Sequence, residues 1–195
     1  MTQDSTLILA SASPRLAALL RAAGFTIDTI PADVDQTMDD QDWPDGFVRR
    51  LAQARVQVVT AQEADRPVLA ADSIIVIDNQ VLGRPRDAED PARMLRQLSG
   101  RVHTVTTAVC LASPQSESAR LTTRVERTTV TLAALSDAEI DWYVATGEPF
   151  DHAGGYAIQG LASRFVTRIE GSYSNAAGLP VEIVYQMCKN AGLMP

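Results

Sequence analysis

The segment Val68-Leu69-Ala70-Ala71-Asp72-Ser73-Ile74-Ile75-Val76-Ile77 constrains this chain more than any other. An almost unbroken apolar run of that length, rich in β-branched residues, belongs to a strand covered on both faces. One Asp-Ser pair interrupts it. A buried carboxylate is costly unless cations, hydrogen bonds or a metal compensate it, so Asp72 is a candidate metal ligand or general base. The plain structural alternative is a bulge or strand end that vents Asp72 to solvent.

A second strand, Leu7–Ala10, runs directly into Ser11-Ala12-Ser13-Pro14-Arg15. Ser13 is a favoured N-cap type and Pro14 has the fixed φ suited to a first helical position. Leu16, Leu19, Leu20 and Ala23 follow with helical spacing, which predicts a helix over Pro14–Ala23. The N–H groups of its first turn, the positive end of the helix dipole, the Ser11 and Ser13 hydroxyls and the Arg15 charge then converge on an anion. Phosphate or carboxylate is the natural guest; a helix that is merely capped is the alternative.

The remaining pattern alternates in the same way. A strand is expected over Thr26–Ile30, an acidic loop through Asp45, and a helix over Gly46–Ala61. Asp78-Asn79 reads as a hairpin turn returning through Gln80-Val81-Leu82, and Asp90-Pro91 opens a helix that Gly100 closes. Val102–Leu111 and Leu121–Leu132 read as paired strands joined by the Ser-rich stretch at 113–118. Ser136-Asp137-Ala138-Glu139 is a capping box for a helix to Val144, a strand Arg164–Ile169 follows, and the helix Pro180–Asn190 ends the pattern. The mixture predicts an α/β fold with a mixed sheet, part of it in a second lobe.

On the helix Gly46–Ala61, Phe47, Leu51, Ala54 and Val58 cluster within roughly 60° when successive residues turn by about 100°. Val48, Ala52 and Val59 extend that arc, and Arg55 is the one charge inside it. Arg55 either snorkels to water or reaches an anion. Gly83-Arg84-Pro85-Arg86-Asp87 follows the hairpin, a stiff loop able to hold guanidinium groups against phosphates; a solvated basic loop is the alternative.

At 195 residues the chain is long enough for one sizeable α/β domain, or two lobes sharing one core. Its 17 basic against 24 acidic residues give a net charge of -7, which argues against a nucleic-acid polymer as partner. A small anion needs only local positive charge, and all the basic side chains but Lys189 are arginine. The N-terminal residues carry no basic run and no apolar stretch is long enough to span a bilayer, so a cytoplasmic protein is expected, with no membrane partner. Cys110 and Cys188 read as small hydrophobes, without a disulfide frame or a zinc site.

Taken together, Leu9-Ala10-Ser11-Ala12-Ser13-Pro14-Arg15, Ala71-Asp72-Ser73-Ile74-Ile75-Val76, Val81-Leu82-Gly83-Arg84-Pro85-Arg86-Asp87, Leu98-Ser99-Gly100, Ala153-Gly154-Gly155-Tyr156-Ala157-Ile158-Gln159-Gly160 and Gly178-Leu179-Pro180 closely resemble the Maf family of nucleoside triphosphate pyrophosphatases. The resemblance runs nearly end to end. It implies a single domain over residues 1–195, α/β, with a two-lobed mixed sheet and flanking helices around a deep cleft, similar to the ITP pyrophosphatases. It also implies hydrolysis of a nucleoside triphosphate to the monophosphate and pyrophosphate with a divalent cation, Mg²⁺ or Mn²⁺. By resemblance Ser11, Ser13 and Arg15 belong to a phosphate-binding loop, Asp72 is the proton acceptor, and Arg55 and Arg84 fall where cationic lysines are usual. Asp72 and Asp35 are the metal candidates.

Arg15, Ser73 and Gln159 are the positions the resemblance ties to base choice. Asp72-Ser73 and Ile158-Gln159-Gly160 are similar to the Asp-Thr and Ile-Gln-Gly of the branch acting on dTTP and UTP, rather than to the branch acting on 7-methyl-GTP. One amide both donates and accepts, matching the adjacent N–H and carbonyl of uracil or thymine. A structural amide in the Gly-rich loop is the alternative.

Five positions depart from the family pattern. Leu16 replaces a second arginine, Gln36 a glutamate, Arg55 and Arg84 lysines, and His152 a lysine. Leu16 and Gln36 are expected to remove a cation and a metal-facing carboxylate, with Asp35 as stand-in. They keep a nucleotide-binding regulator of septum formation with weak hydrolysis, or a 7-methyl-GTP pyrophosphatase, as alternatives. A homodimer stays open.

Overall fold

The computed structural model describes residues 6–38, 43–114 and 120–194. In chain order the elements are β1 (Leu7–Leu9), α1 (Pro14–Ala22), β2 (Ile27–Thr29), α2 (Pro44–Thr60), β3 (Val68–Ile77), β4 (Gln80–Leu82), α3 (Asp90–Leu98), β5 (Val102–Ser113) and β6 (Arg120–Leu132). There follow α4 (Asp137–Ala145), three 3₁₀ turns at Glu148–Asp151, Ala153–Gly155 and Leu161–Phe165, β7 (Val166–Glu170), α5 (Tyr173–Ala176) and α6 (Val181–Asn190). The strands form one mixed sheet in the order β2-β1-β3-β5-β6-β7, with β4 paired to β3 off that path. β1 runs parallel to β2 and β3, whereas β3–β4 and β6–β7 are antiparallel.

The chain divides into two compact units, with boundaries inside β3, β5 and β6 and a fourth between α5 and α6. One unit comprises Met1–Asp72, Thr107–Glu126 and Gly178–Pro195; the other comprises Ser73–Thr106 and Arg127–Ala177. In the first unit, apolar residues of β1, α1, β3, β5 and α6 form one core that includes Leu9, Leu20, Leu69, Val109 and Val184. Cys188 belongs to it, and Cys110 is likewise buried and unlinked. In the second unit α3 packs on α4 and on the Ala153–Gly155 turn. Ile75, Leu95, Leu98, Tyr143 and Phe165 are buried there. No helix of the described residues is long and apolar enough to cross a membrane.

Elements with a strong local signal lie where the sequence puts them. β3 and β4 have the expected bounds, and Asp78 and Asn79 between them have φ of 50° and 61°, the pair of left-handed residues that a two-residue hairpin matched to strand twist requires. The Ser136 hydroxyl accepts from Glu139 N–H while the Glu139 carboxylate accepts from Ser136 N–H at 2.8 Å, completing the capping box of α4. Residues 115–118 of the Ser-rich stretch, and 39–42 of the acidic loop, lie outside the described residues.

Three expectations need correction. Ser13 occupies the N-cap position of α1, but its hydroxyl makes no cap bond. The turn is made one step earlier, where Ser13 N–H donates to Ser11 Oγ at 3.1 Å. On α2 the buried residues are Phe47, Val48, Leu51, Ala52, Val56 and Val59, while Val58 is exposed. The apolar arc is thus turned toward Val56, and at about 100° per residue Arg55 lies inside it, as the sequence predicts. The last strand begins at Val166, because Arg164 and Phe165 belong to a 3₁₀ turn whose first amides are held by a carboxylate.

Candidate functional site

In the first unit the most distinctive polar feature is the pair Arg55–Asp72. Asp72 projects from the middle of β3, Arg55 from the buried face of α2, and each side chain is 14% exposed. Arg55 Nε donates to both carboxylate oxygens, at 3.1 and 2.9 Å, and Nη1 donates to the Ala32 carbonyl. The buried carboxylate and the inward arginine of the sequence therefore compensate each other. Two charges withdrawn from water hold their place only with good geometry and satisfied neighbours, and removing one would strand the other.

The β1–α1 junction supplies Ser11, Ser13 and Arg15. The Arg15 guanidinium lies against Gly178, ahead of α6. Gly178 has φ +103°, and a Cβ there would sit 3.2 Å from Arg15 Nη2. The Gly178-Leu179-Pro180 segment thus owes its glycine both to backbone conformation and to the arginine above it. Leu16, next in sequence, is buried in the core of this unit. Position 16 faces away from solvent, so its leucine is a packing residue.

Asp35 is exposed. Its carboxylate accepts from Thr37 N–H at 2.9 Å and Thr37 Oγ1 at 2.7 Å, and the Thr37 hydroxyl, then the Thr37 amide, hold its pKa below the ordinary value. Gln36 beside it is also exposed. Among the described residues no three His, Cys, Asp or Glu side chains gather as a metal cage would need.

In the second unit Ser73 is half-buried on β3 and Arg84 is exposed beyond β4. The Arg84 loop is fixed at several points. The Gly83 carbonyl accepts from Gly154 N–H at 2.9 Å, Asp90 accepts from Arg86 N–H at 2.9 Å, and Asp87 accepts from the amides of Glu89 and Asp90. The Arg86 amide, followed by the Arg93 guanidinium, lowers the pKa of Asp90. A rigid frame under an exposed guanidinium suits the recognition of an anion. The Gly83–Gly154 bond also joins this loop to the Gly-rich segment that leads to Gln159, which is exposed.

Sequence reasoning passed over Tyr143 and Glu148, two side chains that bond the backbone on either side of Gln159. Their only sequence signal is an aromatic residue on a short helix and an acid beside Pro149. His152 bonds through Nδ1 to the Glu148 carbonyl at 2.9 Å.

The family profile described as Maf-like protein matches residues 6–191. A dTTP/UTP pyrophosphatase of Koribacter versatilis is 46% identical over 188 residues, covering 96% of this chain and 95% of the relative. Proteins of the same name from Anaeromyxobacter dehalogenans and Shewanella oneidensis are 45% and 43% identical, covering 95% and 96% of this chain and 94% and 99% of their own lengths. The solved Ham1 protein of Staphylococcus aureus shares 14% identity at a TM-score of 0.40 over 68% of this chain and 73% of its own, a likeness too slight to carry an argument. A profile match across nearly the whole chain, with relatives this similar over their full lengths, shows that the chain belongs to the Maf family.

Proposed function

We propose that this protein is a nucleoside triphosphate pyrophosphatase acting on dTTP and UTP, with all 195 residues serving one catalytic domain. The observation that carries it is the Arg55–Asp72 ion pair, a mostly buried mid-strand carboxylate held by an arginine of α2, in a chain 46% identical to a protein named dTTP/UTP pyrophosphatase. The reaction breaks the P–O bond between the α- and β-phosphates. Water supplies the oxygen for the monophosphate, and pyrophosphate leaves. Asp72 accepts the water's proton. Ser11, Ser13, Arg15, Arg55 and Arg84 hold the phosphates, and in such a transfer positioning and charge neutralisation supply most of the rate. Arg55 can do this without abandoning Asp72, since Nε and Nη1 serve Asp72 and Ala32 while Nη2 carries further donors.

A divalent cation, Mg²⁺ or Mn²⁺, fits the donors available. Such hard ions bind through one or two carboxylates together with substrate phosphates, rather than in an all-protein cage, so Asp72 would be the principal ligand, with Asp35 as a second. When bound, the ion neutralises phosphate charge. Arg15, Ser73 and Gln159 select the base, Gln159 by pairing its amide with the N–H and carbonyl of uracil or thymine. A cytoplasmic location is part of the same reading, supported by action on free triphosphates.

The test is release of pyrophosphate from a panel of nucleoside triphosphates with Mg²⁺ or Mn²⁺, for wild type and Asp72→Asn. Turnover of dTTP and UTP that Asp72→Asn abolishes is expected. Binding without turnover of any triphosphate overturns hydrolysis in favour of a nucleotide-binding regulator, and turnover confined to 7-methyl-GTP overturns the pyrimidine assignment.

A further inference from the structure

We infer that Tyr143 and Glu148 are positioning residues for base selection, a brace that fixes the backbone carrying Gln159; the inference rests on the proposal that Gln159 reads the base. Gln159 is exposed, but Tyr156, Ala157 and Ile158 before it are all buried. Gly160 N–H donates to the Ala157 carbonyl at 3.0 Å, closing a tight turn with Gln159 near its tip.

Each arm of that turn is held by one of these two side chains. On the leading arm, Ala157 N–H donates to Tyr143 Oη at 3.0 Å. On the trailing arm, Leu161 N–H donates to Glu148 Oε2 at 2.9 Å and Ala162 N–H to Oε1 at 3.3 Å. The arms are joined because Tyr143 Oη donates to Glu148 Oε1 at 2.7 Å. Hydrogen bonds to an ionised carboxylate are roughly twice as strong as neutral ones.

The fit is close as well as bonded. A Cβ on Gly160 would lie 2.3 Å from Glu148 Oε2, so the carboxylate rests directly on the backbone next to Gln159. The brace is itself anchored. Thr146 Oγ1 donates to the Tyr143 carbonyl at 2.6 Å, and the Glu148 carbonyl accepts from His152 Nδ1. Tyr143 is fully buried between Phe165, edge-on with centroids 5.8 Å apart, and Trp142. A single amide can tell uracil from cytosine only if its donor and acceptor stay in register with the base edge, and small displacements erase that discrimination. Such a side chain, projecting from a surface turn, needs its backbone immobilised from beneath.

The experiment measures dissociation constants for the α,β-methylene analogues of UTP and CTP, which report base preference without turnover. The proteins are wild type, Tyr143→Phe, Glu148→Gln, Gln159→Ala and the double variant Tyr143→Phe/Gln159→Ala, each checked for folding by its melting temperature. We expect Tyr143→Phe and Glu148→Gln to lower the UTP:CTP preference about tenfold, equivalent to about 1.4 kcal/mol. Tyr143→Phe added to Gln159→Ala should lower it no further, as a shared pathway requires. Tyr143→Phe and Glu148→Gln proteins that bind both analogues more weakly but keep the wild-type preference overturn the brace and leave the role of Gln159 intact. A preference unchanged by Gln159→Ala overturns the base-reading role, and the brace with it.

Discussion

At Arg55 and Asp72, chemistry and packing constrain the same atoms. Asparagine at 72 keeps one carbonyl oxygen to accept from Arg55 Nε but can neither take a proton at neutral pH nor balance the charge. Asp72→Asn should therefore lower kcat/KM for UTP by at least ~100-fold, the scale of a lost general base, and still unfold cooperatively in a denaturant titration. Gly178 offers an independent check on Arg15. Alanine there must adopt φ +103° and push against the guanidinium, which should cost on the order of 1–2 kcal/mol in denaturant unfolding and raise KM for UTP. The inward Arg55 was legible in the sequence because a single charge broke a regular apolar arc. Its partner was not, because pairing between α2 and β3 depends on how the two elements pack. The burial of Leu16 was legible as well, from its helical spacing with Leu19 and Leu20.

At the scale of elements, those bounded by their own chemistry were the readable ones. The Asp78-Asn79 turn and the Ser136–Glu139 box carry their instructions within four residues. Ser136→Ala should destabilise the protein by about 1 kcal/mol through the loss of the α4 cap, measurable by denaturant titration with activity unchanged. The 3₁₀ turns between α4 and β7 have no such signature. They are too short for a helical period, and Leu161–Phe165 takes its shape from a carboxylate thirteen residues upstream of Leu161. The turn that carries Gln159 therefore lies in the segment where local sequence is least informative and tertiary contacts most decisive.

For the whole molecule, acid stability depends on a histidine that the reaction does not use. His103 is buried beside Tyr156, with Nε2 2.7 Å from the phenol oxygen, and burial pushes its pKa from 6.5 down to about 4. A base with a depressed folded pKa stabilises the native state fully above its unfolded pKa, and that contribution is lost as pH falls toward the folded one. Stability should thus decline between about pH 6.5 and 4 by on the order of 3 kcal/mol from this group, and a His103→Gln protein should show a shallower decline in the same denaturant titrations. A net charge of -7 leaves the molecule to draw a triphosphate by local arginines rather than by its overall field. The central claim is cleavage between the α- and β-phosphates, and ³¹P NMR of UTP incubated with the protein and Mg²⁺ tests it most directly. UMP and pyrophosphate should appear in equal amounts from the first turnovers; UDP and inorganic phosphate, or unchanged UTP, would rule that cleavage out.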